Sequence, residues 1–162
     1  MNEHLARWTL ASVAKYFYTV SSGLGLQYFV EGVDERNATD MEQEHAELRV
    51  NGPFVAEVSN NCYRVYIDIN ILLTDYMRMS SENAYQIDIW GGKFLSSMFS
   101  PIPIYKYGTG VDDDSTVLVG CLTQRRGLSE PIRLIRFGQV SRTDRIRQAA
   151  VDGRFEMILT TT

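Results

Sequence analysis

Residues 64–75, RVYIDINILLTD, constrain the fold more than any other part of the chain. With Tyr63 included, one side carries Tyr63, Val65, Ile67, Ile69, Ile71 and Leu73, and the other carries Arg64, Tyr66, Asp68, Asn70, Leu72 and Thr74. A period of two over so many residues predicts a β-strand with one apolar face. At about 3.3 Å per residue a dozen residues span roughly 40 Å, about twice the common strand length. Burial of a single face does not offset the entropy of ordering so long a segment. The strand therefore needs ladder neighbours or partners on its other face, and in a small domain the overhanging part of a long hairpin commonly finds those contacts on another subunit.

The chain of 162 residues is predicted to be one domain, 1–162. Its 44% hydrophobic and 22% charged residues lie within the globular range, which argues against wholesale disorder. There is no apolar run of membrane-spanning length, and Asn2-Glu3-His4 does not begin a cationic leader followed by an apolar block. The expectation is a soluble, unsecreted product with no membrane partner. Cys62 and Cys121 read as two buried small hydrophobes. The net charge of −4 is unevenly distributed: residues 1–75 hold 11 acids and 5 bases, whereas 120–162 hold 4 acids and 8 bases, all arginine.

Residues 3–20 place Ala6, Leu10, Val13, Ala14 and Phe17 on one helical stripe, which predicts a helix ending near Ser21-Ser22-Gly23. LQYFVEGV (26–33) reads as a short strand and DERNATDMEQEH (34–45) as an exposed acidic loop. The next strand, from Ala46, is interrupted at Asn51-Gly52-Pro53; a proline there removes a ladder donor, which predicts an edge kink or bulge rather than a two-residue hairpin. Asn60-Asn61 turns the chain into the long strand. A second helix is predicted from Ser80 or Ser81 to about Phe99, stopped by Pro101 and Pro103. Gly91-Gly92 at its centre implies either a break or a closely pressed neighbour. Strands are predicted at 116–123 and 132–140, then a short polar segment, SRTDRIRQAAVDG (141–153), with helical character, and a closing strand RFEMIL. Adjacent strands without regular helical crossovers predict an α+β fold: an antiparallel sheet with a long hairpin, covered on one face by two helices.

Little in the chain points to chemistry. His4 and His45, the only histidines, stand on a frayed terminus and at the edge of a polar loop, and support neither a nucleophile pair nor a zinc site. The Asp112–Asp114 run lacks the spacing of a calcium loop and the lysine of a phosphate-binding loop. Asp68 and Asp75 read as surface charges. No catalytic, cofactor-binding or metal-ligating residue is assigned. The residues expected at a subunit or partner interface are Arg64, Tyr66 and Asp68 on the polar face of the long strand, and Arg142, Arg145 and Arg147, whose flat multi-donor cations suit an acidic partner.

Three stretches, AELRVNGPFVAEVSNNCYRVYIDINILLTD, SPIPIYKYG after the second helix, and FGQVSRTDRIRQAAVDGRFEMIL, are similar in layout to the tail-terminator and neck (head-tail joining) proteins of tailed bacteriophages. The resemblance covers most of residues 3–160 and lies in element order, not in a motif that transfers residue by residue. It implies a structural virion protein, not an enzyme, assembled in the host cytoplasm as a homo-oligomeric, hexameric ring. Its partners would be further copies of itself, the tail tube protein and the head-tail connector, with non-specific contact to DNA in the lumen. The long hairpin would then reach the neighbouring protomer. The alternatives are a head-completion adaptor or tube-like protein, a non-viral monomeric binding module that grips an acidic partner through its arginines, and a small enzyme using the Asp112–Asp114 loop.

Overall fold

The computed structural model describes residues 3–34, 43–76, 85–107, 117–125, 131–139 and 146–160. The chain runs α1 (Leu5–Gly23), β1 (Gln27–Val30), β2 (His45–Ser59), β3 (Cys62–Tyr76), α2 (Gln86–Met98), β4 (Ile102–Tyr105), β5 (Leu118–Gln124), β6 (Arg133–Gln139) and β7 (Ile146–Thr160). The strands form one seven-stranded sheet in the order β1-β2-β3-β7-β5-β4, with β6 also paired to β7.

This corrects the expected fold class. The described residues are mostly β, 55% strand against 26% helix, and the sheet is mixed and curled into a half-barrel with two helices. Two physical causes stand out. The segment after β1 brings β2 back parallel to it, Gln27 opposite His45 through Val30 opposite Leu48, so the sheet is not purely antiparallel. Three strands of 15 residues each also accumulate the right-handed twist inherent to L-residues, and a long twisted sheet coils rather than lying flat under its helices.

The third of those strands explains a second correction. Residues 146–153 carry no helix; they begin β7, which pairs antiparallel with β3 over its whole length, from Tyr76 opposite Ile146 to Cys62 opposite Thr160. Ala149-Ala150 breaks the outward polar alternation, so local pattern does not show the strand, whereas a 15-residue ladder decides it. β3 is thereby central, flanked by β2 and β7. Val65, Ile67, Ile69, Ile71 and Leu73 are at most 1% exposed, and burying these five side chains contributes about 8–15 kcal/mol before chain entropy. The ladder neighbours that so long a strand needs come from its own chain, β2 on one side and β7 on the other. The unfilled need lies in β2.

α1 buries Leu5, Trp8, Val13 and Phe17, a stripe turned by about one residue from the expected one, with Ala6 exposed. It lies on β4, β2 and β1, and Ser12 Oγ accepts a hydrogen bond from the Tyr105 N–H at 2.9 Å. Trp8 Nε1 donates to the Tyr107 carbonyl at 2.8 Å. α2 packs on β7, β3 and β6, burying Ile87, Trp90, Phe94 and Met98. The Tyr16 hydroxyl ties the helices together by donating to the Ser97 carbonyl at 2.7 Å. Ser80 and Ser81 lie outside the described residues. α2 runs unbroken through Gly91-Gly92, and what presses close at Gly91 is a side chain: a Cβ there would stand 2.7 Å from Leu134 Cδ1 on β6.

Three further expectations change. Cys62 is half-buried and Cys121 exposed, both as free thiols. His45 is buried at the start of β2, with Nδ1 at 2.8 Å from the Gln43 carbonyl and its ring edge-on to Phe29. Asp75 is 3% exposed, because β7 brings Arg147 to 2.7 Å from it; it is a buried ion pair and not a surface charge.

Candidate interaction surface

The face of β3 turned away from the main core carries Arg64, Tyr66, Asp68 and Asn70 at alternate positions. β7 sets Ile158, Glu156, Arg154 and Asp152 opposite them. β2 sets Ala56 opposite Arg64, Phe54 opposite Tyr66 and Arg49 opposite Asn70. Directly opposed side chains of an antiparallel pair interact, so this register makes a grid of charges. Arg154 forks onto Asp68, Nε to Oδ1 and Nη2 to Oδ2, the latter at 3.0 Å. Arg133 Nε donates to Asp152 Oδ1 at 2.9 Å, and that hydrogen bond raises the guanidinium pKa further above its already basic range. Arg64 reaches Glu156 at 3.8 Å, and Arg49 reaches Glu47 at 3.3 Å and Glu31 at 3.9 Å.

An aromatic stack sits beside the grid. The rings of Phe54 and Tyr66 lie 5.2 Å apart and nearly parallel, and the guanidinium groups of Arg154 and Arg125 stand over Tyr66 at 5.7 and 5.9 Å. Cation–π contact and stacking hold these long side chains in place. Pre-ordered Tyr and Arg are the residue types on which protein interfaces concentrate their energy.

The curl of the sheet leaves a concavity of about 650 Å³ over this face, with Glu31 and Arg49 on one side, Pro131 and Arg133 on the other, and Asp152 and Arg154 among its lining. Its three arginines, Arg49, Arg133 and Arg154, are matched by Glu31, Asp68 and Asp152. A balanced lining does not single out an anionic ligand. Among the described residues the lining contains no Ser, Thr, Cys or His, and no three His, Cys, Asp or Glu side chains stand together as a metal-binding group. No described helix is long and apolar enough to cross a membrane.

The sheet margin next to the stack is open. β1 pairs only with His45–Leu48 of β2, and the Glu31 N–H donates to the Leu48 carbonyl at 2.9 Å. Among the described residues no strand pairs with the outer edge of β2 from Arg49 to Ser59. The register shifts between Asn51 and Phe54, where Gly52 has φ of 115° and precedes a cis proline. That bulge is the one expected from Asn-Gly-Pro. A Cβ at Gly52 would meet the Tyr66 carbonyl oxygen at 3.2 Å and the Phe54 nitrogen at 3.1 Å, so glycine is required on both conformational and steric grounds. Beyond the bulge, Phe54, Val55 and Val58 are 37%, 36% and 55% exposed. Ile158, also exposed, stands opposite Arg64 on the far side of the hairpin.

Of the residues predicted for an interface, Arg64, Tyr66 and Asp68 fall together on this face. Arg147 does not; it is engaged with the buried Asp75. Arg142 and Arg145, like the Asp112–Asp114 run, lie outside the described residues. Sequence reasoning missed Phe54, Arg154 and the edge residues Val55 and Val58. The alternation resuming after Pro53 was the available signal for β2, but nothing local shows that Arg154 lands opposite Asp68, because that depends on the β3–β7 register.

No family model matches the chain, and no curated protein matches it. One solved structure aligns with 100% of this chain and 98% of its own at 12% identity and a TM-score of 0.47. Its designation describes no function, and a likeness that remote carries neither fold nor function.

Proposed function

We propose that the protein is a structural virion component of a tailed bacteriophage, forming a ring at the neck or tail end that terminates the tail tube and joins it to the head connector. The observation that carries this reading is the outer edge of β2 between Arg49 and Ser59, which pairs with no strand among the described residues, with Phe54, Val55 and Val58 exposed along it. Free edges bearing apolar side chains invite association, and natural proteins cover, charge or interrupt them. Cyclic self-assembly covers such an edge in every subunit. The order of elements, an opening helix, a long antiparallel pair, a second helix and closing strands, adds the layout on which the resemblance rests.

A monomeric module gripping an acidic partner through its arginines is the competing reading; Arg142 and Arg145, on which it draws, lie outside the described residues. Size-exclusion chromatography with light scattering, and negative-stain imaging of the protein alone and with the tail tube of its own particle, test the proposal. The expected result is a closed multi-subunit ring, either in solution or on the tube end. A monomer under both conditions overturns it.

A further inference from the structure

We infer that the copies join edge to edge, the distal part of β2 in one subunit pairing with the outer edge of β6 in the next. This deepens the ring reading and rests on it. Among the described residues, β2 beyond Leu48 and β6 leave edges without a strand partner at different margins of the curled sheet, and both are longer than the four-residue terminal strands β1 and β4, which are also paired on one side only. β2 beyond Leu48 is paired only with β3, and β6 is paired only with β7. They are comparable in length: Phe54–Ser59 follows the bulge without a further proline, and β6 has 7 residues. A strand of that length is the common unit of sheet pairing.

The occupant is a second copy because the two edges complement each other within one chain. From Phe54 to Ser59 the only charge is Glu57, whereas β6 offers Arg133 and Arg136, whose side chains are 63% and 69% exposed. Each of these arginines contacts one carboxylate of its own chain, Asp152 and Asp88 respectively. A guanidinium has five donors in a planar fork and can accept a second carboxylate. Each edge also exposes apolar surface, Val58 on β2 and Phe137 on β6 at 55% and 53%. Pairing of unlike edges is head-to-tail and propagates from copy to copy, closing into a ring where the rotation between copies allows it, whereas β2 pairing with β2 would stop at a dimer. Opposite charge across the junction sets register and rejects the like-edge pairing.

The experiment uses the full chain with Cys62 and Cys121 replaced by serine, carrying either Val58→Cys or Phe137→Cys, and a short bismaleimide cross-linker. Circular dichroism and thermal melts first establish that each variant folds; Ser59→Cys with Arg133→Cys serves as a second pair if either does not. The expected result is a covalent dimer when the two variants are mixed, little or none from either alone, and a ladder of multimers when both cysteines are in one chain. Glu57→Arg should weaken association at least tenfold by light scattering. Cross-linking of Val58→Cys to itself would overturn the inference in favour of a symmetric dimer. Multimers without the mixed cross-link would overturn this junction while leaving the ring standing. A monomer in solution and on the tail tube would remove both.

Discussion

Two side chains show how position converts ordinary residues into determinants of stability. Tyr28 donates its hydroxyl proton to the Ala14 carbonyl at 2.9 Å; burial, and secondarily the Asp34 carboxylate, push its pKa well above the ordinary 10.0. A tyrosine held neutral in the folded state but free to ionise when unfolded contributes stability that is complete below about pH 10 and is lost as pH rises through the folded value. The wild-type protein should therefore lose stability above that pH. Tyr28→Phe should lose it less steeply, while costing about 1 kcal/mol near neutrality for the missing hydrogen bond. Urea unfolding of both proteins at pH 8 and pH 10.5 measures this, and parallel losses would contradict it. Asp75 is the second case. Its side chain is 4% exposed against 19% for Arg147, so Asp75→Asn takes one charge out of a largely buried ion pair and should cost about 3–5 kcal/mol in chemical denaturation. Arg64→Ala, at a half-exposed pair spanning 3.8 Å, should cost less than about 1 kcal/mol.

At the scale of elements, α2 offers a paired comparison. Both glycines of Gly91-Gly92 are helical, and glycine in a helix interior costs about 1 kcal/mol relative to alanine. At Gly92 an added Cβ meets nothing within 4 Å, so Gly92→Ala should raise stability by about that amount. At Gly91 the same atom would strike Leu134; this leucine must swing away from the helix, and Gly91→Ala should gain nothing or lose about 1–3 kcal/mol. Thermal melts of the two single variants should differ in sign or at least clearly in size. The helix pattern was legible in the sequence, and so was the bulge at Gly52-Pro53, because both follow from local stereochemistry. The identity of the group pressing on Gly91 was not, since Leu134 lies 43 positions away and arrives only by tertiary packing.

Over the whole molecule, order should follow the number of ladders. β3 lies between two long partners, whereas β2 past its bulge has one. In the isolated subunit, amide hydrogen exchange should be slowest in Val65–Leu73 and far faster in Phe54–Ser59, since exchange tracks the free energy of local opening. On assembly the latter segment should become protected. Unchanged exchange there in the assembled particle would mean that the β2 edge is not the junction.

What residue order determined by itself is what depends on near neighbours. The face of β3 that is apolar, the two helices, the bulge in β2 and the polar set of Arg64, Tyr66 and Asp68 all follow from periodicity and from the conformational limits of proline and glycine. Tertiary structure decided the rest. Whether β3 is central or marginal, whether residues 146–153 coil or extend, whether Asp75 is wet or dry, and where Arg147 and Arg154 find their acids all turn on one long-range event, the docking of β7 along β3. A ladder couples residues some 70 to 100 positions apart, and its register is an outcome of total burial and pairing, not of any local window.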